Sequence, residues 1–132
     1  TLGTNRRAIV AAVQQGYGIV ANSGVPPTHW AYDPDLLASV AYDPEAAAVL
    51  LEEAGWSDRD GDGVRENDQG EPLSISLSFN SGSQQRRSVA ELMQSQLAKI
   101  GVEVRPATSE WRSGVGRILD PETRDFDGVI MG

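Results

Sequence analysis

Residues 73–80 read "LSISLSFN". Leu73, Ile75, Leu77 and Phe79 alternate with Ser74, Ser76, Ser78 and Asn80, the two-residue period of a strand with one buried face. The period then changes. From Gln84 to Ile100, the residues Val89, Leu92, Met93, Leu97 and Ile100 recur at helical spacing, and Gly101 closes the run. "VEVRPA", residues 102–107, reads as a second short strand. Glu110 to Leu119 reads as a helix weakened by Gly114 and Gly116, and "DFDGVIMG", residues 125–132, as a third strand. Strand–helix–strand–helix–strand is the pattern of right-handed crossovers over a parallel sheet. The expected fold class is therefore α/β, with a β-α-β-α-β core.

Upstream of that core, Asn5 can cap a helix running through about Gln15, with Ile9, Val10 and Val13 as its apolar stripe and Gly16 as its stop. Residues 17–42 form a Pro-rich connection. Asp43 then caps a second helix, with Pro44 at its first position and Glu45 at the positive end of its dipole, and Gly55 ends it. A chain of 132 residues suits one domain, and 39% hydrophobic residues suit a globular one. Its apolar runs fall far short of the roughly 20 residues of a membrane span, and no signal peptide or lipidation motif is read in it. The chain begins without Met, which reads as a mature or excised piece. Without cysteine it has neither disulfides nor thiolate metal ligands.

The formal net charge is −8, and it is unevenly spread. Residues 33–71 hold twelve acids against Arg59 and Arg65, a local net of −10 that leaves +2 for the rest. No basic patch is legible, which argues against nucleic acid as a partner.

In an open parallel sheet, ligands bind in the crevice beyond the carboxyl ends of the strands. Three segments fall there, and from them Asn80, Ser81, Gly82, Glu110, Trp111, Met131 and Gly132 are the candidate ligand contacts. Asn80 to Ser83 joins a strand end to a helix amino terminus, where free N–H groups and the dipole attract anions such as a carboxylate. No enzyme chemistry stands beside this. His29 lacks a partner for a relay or a zinc site, neither G-x-G triplet continues to a third glycine, and no serine sits in a nucleophile motif. A small hydrolase or transferase would be supported by fold alone.

The other chemical candidate is "WSDRDGDGVREND", residues 56–68. Asp58, Asp60 and Asp62 stand at positions one, three and five of a calcium-loop pattern, with Gly63 at six and the Val64 carbonyl at seven. Position twelve is Gln69 instead of Glu, so Glu66 or Asp68 would have to complete the set by a different chain path. No cofactor is required; a structural calcium is the candidate occupant, and a metal-free loop of Asx-turns is the competing reading. A stand-alone calcium module is the corresponding alternative function.

Several phrases, in order, resemble the family 5 extracellular solute-binding proteins of ABC importers for peptides and nickel. They are "RRAIVAAVQQGYGIVANSGVPPTHWAYDPDL", "AYDPEAAAVLLEEAGWSDRDGDGVREND", "PLSISLSFNSG", "RRSVAELMQSQLAKIGVEV", "SEWRSGV" and "DFDGVIMG". The resemblance implies one lobe of a periplasmic-binding-protein-like fold, here a truncated C-terminal lobe spanning residues 1–132. It implies a receptor that closes two lobes over a peptide or other small solute and delivers it to a membrane permease. It also implies a periplasmic or extracellular location, with a lipoprotein anchor in some members. In dipeptide-binding members an arginine often meets the ligand carboxylate at about the place of Asn80; a neutral residue there argues against dipeptide specificity. A strand ending the chain beside lost sheet neighbours would leave an edge open to self-association.

Overall fold

The computed structural model describes residues 2–21, 23–33, 35, 41–110, 120, 122 and 126–131. Asn5 opens α1 (Arg6–Gln14), its side-chain oxygen accepting from the Ala8 N–H at 2.9 Å. The helix ends at Gln14 because Gln15 itself adopts the left-handed conformation, φ 51°, ahead of Gly16. Asp43 opens α2 (Pro44–Glu53) in the same way, accepting from the Ala46 N–H at 2.9 Å. Each cap satisfies an N–H that the helix leaves without a partner, a contribution of about 1 kcal/mol.

The alternating stretch forms β1 (Ser74–Asn80). It is followed by α3 (Gln84–Ala98), capped by Ser83, then β2 (Glu103–Ser109) and β3 (Gly128–Ile130). The sheet is parallel, in the order β2–β1–β3, so β1 lies at its centre. β2 runs two residues past the expected "VEVRPA" and passes through Pro106. An edge strand tolerates proline because its outward N–H is not needed for pairing. β3 is shorter than the expected "DFDGVIMG", and the helix expected over 110–119 lies, beyond Glu110, outside the described residues.

One face of β1 supplies the core. Leu77 and Phe79 are buried with Val104 of β2 and Ala90 of α3, and Ile75, Met93, Leu97 and Ile130 pack around them. Burying side chains of this size stabilises the fold by roughly 1.5–3 kcal/mol each. The α3 stripe differs from expectation at its closest contact. Ala90 is fully buried, whereas Val89 and Leu92 are half-buried, since a methyl group lets the helix backbone approach the sheet. Ile100 lies past the helix end and turns inward to join Ala47 of α2 and Val102 in a second cluster, bridged to the first by Ile75 and Leu97. Between Ile100 and Val102, Gly101 has φ +79°, and a Cβ there would stand 2.6 Å from Cγ of Arg65. Only glycine fits that turn.

Candidate functional site

The parallel register brings the carboxyl ends of the strands level. Asn80 pairs with Ser109, and Phe79 pairs with Ile130, so Asn80, the Ser109–Glu110 step and Met131 leave the sheet at one edge. The loop after β1 is tied to β2 there, because the Ser81 N–H donates to the Ser109 carbonyl at 3.1 Å. Asn80 turns its carboxamide oxygen back to accept from the Gly82 N–H at 3.0 Å, and Ser83 accepts from the Arg86 N–H at 3.3 Å to start α3. Ser81 and Gly82 are exposed, as are Glu110 and Met131, the last at 56%. The structure thus brings Asn80, Ser81, Gly82, Glu110 and Met131 to one rim; Trp111 and Gly132 lie outside the described residues. The N–H groups of Ser81, Gly82 and Ser83, expected to be free, are all engaged within the protein, so this rim offers a solute hydroxyls, one carboxamide and an apolar thioether.

The acidic loop is built differently. The two oxygens of Asp58 accept from the N–H groups of Gly61 at 2.8 Å and Gly63 at 3.1 Å. Asp60 accepts from the Asp62 N–H, and Asp62 from the Val64 N–H. These are Asx-type turns, in which short acidic side chains hold their own backbone. Glu66 is buried and accepts from the Arg59 N–H at 2.9 Å; its backbone pairs with Ser57 and Pro72. Ligand oxygens of Asp58, Asp60, Asp62 and Glu66 all lie within 4.8 Å of one another. Of the two carboxylates named to complete the set, Glu66 joins the other three and Asp68 does not, being paired with Arg59 instead. Hard carboxylate oxygens at this spacing are a donor set that suits calcium.

Arg65 fastens that loop to the core. Its N–H donates to the Gly101 carbonyl at 2.8 Å, Nε to the Ile100 carbonyl at 2.8 Å, and one terminal nitrogen to the Trp56 carbonyl at 2.9 Å. The other terminal nitrogen pairs with Glu52 at 3.2 Å, the arginine side chain being only 12% exposed. The loop feeds the amino end of β1, where the Leu73 N–H donates to the Arg65 carbonyl. At about 3.3 Å per residue, the seven residues of β1 hold it roughly 20 Å from the rim.

His29 lies in the connection after α1, with Nδ1 accepting from the Ala31 N–H at 3.2 Å and its ring 5.6 Å from that of Trp30. No catalytic partner stands beside it among the described residues.

Two arrangements were not read from the sequence. The Arg65 clamp had a faint signal, an arginine embedded in an acidic run. The second had none. Asp127 accepts from both the N–H and the hydroxyl of Ser76, at 2.7 and 2.9 Å, across 51 residues of chain. Those two hydrogen bonds from Ser76 hold the Asp127 carboxyl below the usual aspartate range.

Residues 1–132, the whole chain, match the bacterial extracellular solute-binding proteins, family 5 Middle. The chain is 37% identical over 133 residues to the oligopeptide-binding protein AppA of Bacillus subtilis, covering 100% of this chain and 24% of that protein. The structure of AppA in complex with a nonapeptide superposes with a TM-score of 0.89 at 36% identity, over 98% of this chain and 26% of that one. The dipeptide-binding protein of Escherichia coli is 35% identical over 132 residues, again 100% of this chain but 22% of that protein. NikA from Brucella suis, in complex with Fe(III)-EDTA, gives a TM-score of 0.71 at 32% identity, covering 88% of this chain and 23% of that one. The chain spans about a quarter of the length of these relatives. It belongs to the bacterial extracellular solute-binding proteins, family 5.

Proposed function

We propose that the chain is part of the substrate-binding component of an ABC importer for peptides, a receptor rather than a catalyst. In this reading the rim of Asn80, Ser81, Gly82, Glu110 and Met131 is one wall of a cleft that a second lobe closes over the solute. The loaded receptor then delivers its solute to a membrane permease, outside the cytoplasm. The observation that carries the reading is the whole-chain similarity to AppA, whose structure holds a nonapeptide. A match of this length also favours the importer reading over a free-standing calcium module. The neutral Asn80 brings no positive charge to a dipeptide's carboxylate, which favours longer peptides. A calcium ion held by Asp58, Asp60, Asp62 and Glu66 would be structural, far from the rim. Among the described residues no helix is long and apolar enough to cross a membrane.

Calorimetry with dipeptides, tripeptides and nonapeptides tests this. The full-length polypeptide carrying this segment is expected to bind oligopeptides at micromolar strength or better, and the 132-residue chain alone to bind them far more weakly. Micromolar binding by the isolated chain overturns the two-lobe reading. Full-length protein that ignores peptides overturns the substrate class.

A further inference from the structure

β3 is paired over only three residues, with Leu77 opposite Gly128, Ser78 opposite Val129 and Phe79 opposite Ile130. In a strand, a slip of one residue sends every side chain to the other face, and alternation of polar and apolar residues normally prevents it. The run Val129-Ile130-Met131 has no such alternation. Gly128 permits the observed register, since a Cβ there would stand 3.1 Å from Cδ1 of Leu77, but a permissive glycine makes no contact that rewards it.

The reward lies one residue earlier. The carboxylate of Asp127 accepts from the Ser76 N–H at 2.7 Å and from the Ser76 hydroxyl at 2.9 Å. In return, the Asp127 N–H donates to the Ser76 hydroxyl oxygen at 3.0 Å and reaches the Ser76 carbonyl at 3.2 Å. Bonds to an ionised acceptor are roughly twice as strong as neutral ones and demand definite geometry. A slip of one residue would move the carboxylate by about 3.3 Å and break the whole set. We propose that Asp127, locked onto Ser76 of β1, is the positioning residue that sets the register of β3 and thereby the place of Met131 on the solute rim. The importance of that place rests on the proposed function; the register itself does not.

Amide hydrogen exchange followed by NMR on this chain tests the lock without any solute. In Asp127→Ala, the protected amides of Gly128–Ile130 should exchange about tenfold faster or more, the scale of losing hydrogen bonds to a charged group. Amides of β2 and α3 should keep their wild-type rates, while the Met131 methyl and Asn80 side-chain resonances shift. Ser76→Ala should give a smaller acceleration, and Ser76→Thr, which keeps the hydroxyl, should restore the wild-type rate. Unchanged β3 exchange in Asp127→Ala overturns the proposal. So does a uniform acceleration across all core amides, which would mean that Asp127 only adds general stability. If Asp127→Ala does not fold, the Ser76→Ala and Ser76→Thr pair decides by the same criteria. A failure here leaves the peptide calorimetry untouched, and a failure there leaves this register intact.

Discussion

The acidic loop and the strand-end rim are both short polar stretches built around glycine and Asx-type turns, yet the loop is tied down far more heavily. In the loop, Asp58, Asp60, Asp62 and Glu66 all accept from backbone N–H groups of the loop itself, and Arg65 bolts the whole to α2 and to the turn before β2. On the rim, the Asn80 side chain makes one local bond and the Ser81 N–H is tied to β2, while Ser81 and Gly82 are exposed. The loop looks richer in chemistry, but its chemistry is spent on holding its own backbone. The rim looks bland, but the fold sets it where a parallel sheet receives ligands. Density of charge marks architecture here, and position marks the candidate site.

The largest effect expected from this contrast is on stability. Arg65→Ala leaves the Ile100 and Trp56 carbonyls without their partner and Glu52 without its ion pair. Breaking such a partly buried charged cluster should cost roughly 2–4 kcal/mol in urea unfolding. Asn80→Ala removes one exposed bond and should cost about 1 kcal/mol or less. Comparable losses for the two substitutions would break the distinction between a structural loop and a rim free for solute.

A calcium titration with a thermal readout sharpens the same contrast at smaller scale. Four carboxylates held this close repel one another, and an ion that binds only the folded chain raises its midpoint by mass action. The midpoint should climb with millimolar calcium and less with magnesium, which demands a tighter octahedron. Asp60→Asn should blunt the climb, and replacing Asp33, outside the loop, should leave it. A flat curve for the unmutated chain reduces the loop to its hydrogen-bonded turns.

The smallest effect concerns pH. The carboxyl of Asp127 is held below its usual range by the Ser76 N–H and hydroxyl. A depressed folded value means that its contribution is present at neutral pH, begins to fade below the unfolded aspartate value and is lost as pH falls through the folded one. Protection of the β3 amides, taken relative to intrinsic exchange at each pH, should therefore fall in acid before that of the rest of the sheet, and Asp127→Asn should remove that pH step. Protection lost in β1, β2 and β3 together as pH falls would show that the clamp has no separate titration.

What was legible in the sequence was local and periodic. The Leu73–Phe79 alternation gave a half-buried strand, and Asn5 and Asp43 announced two helix starts, because caps and pleats act between residues a few positions apart. The ordered phrases also carried the family, since they run through nearly the whole chain. The α3 stripe was read only in part: helical spacing of the larger apolar residues pointed to Val89 and Leu92, while the closest packing fell to Ala90, a choice that depends on the sheet beneath it.

Tertiary structure alone decided the rest. The order β2–β1–β3 places Asn80 at the centre of the rim with Ser109 and Met131 beside it, and no local pattern states which strand is central. The path of the acidic loop selected Glu66 over Asp68, because pairing with Ser57 and Pro72 turns the one inward while Arg59 draws the other away. Ser76 and Asp127 meet across 51 residues. Such contacts form only once the chain between them has closed, and a single serine or aspartate carries no mark of the partner that closure will bring.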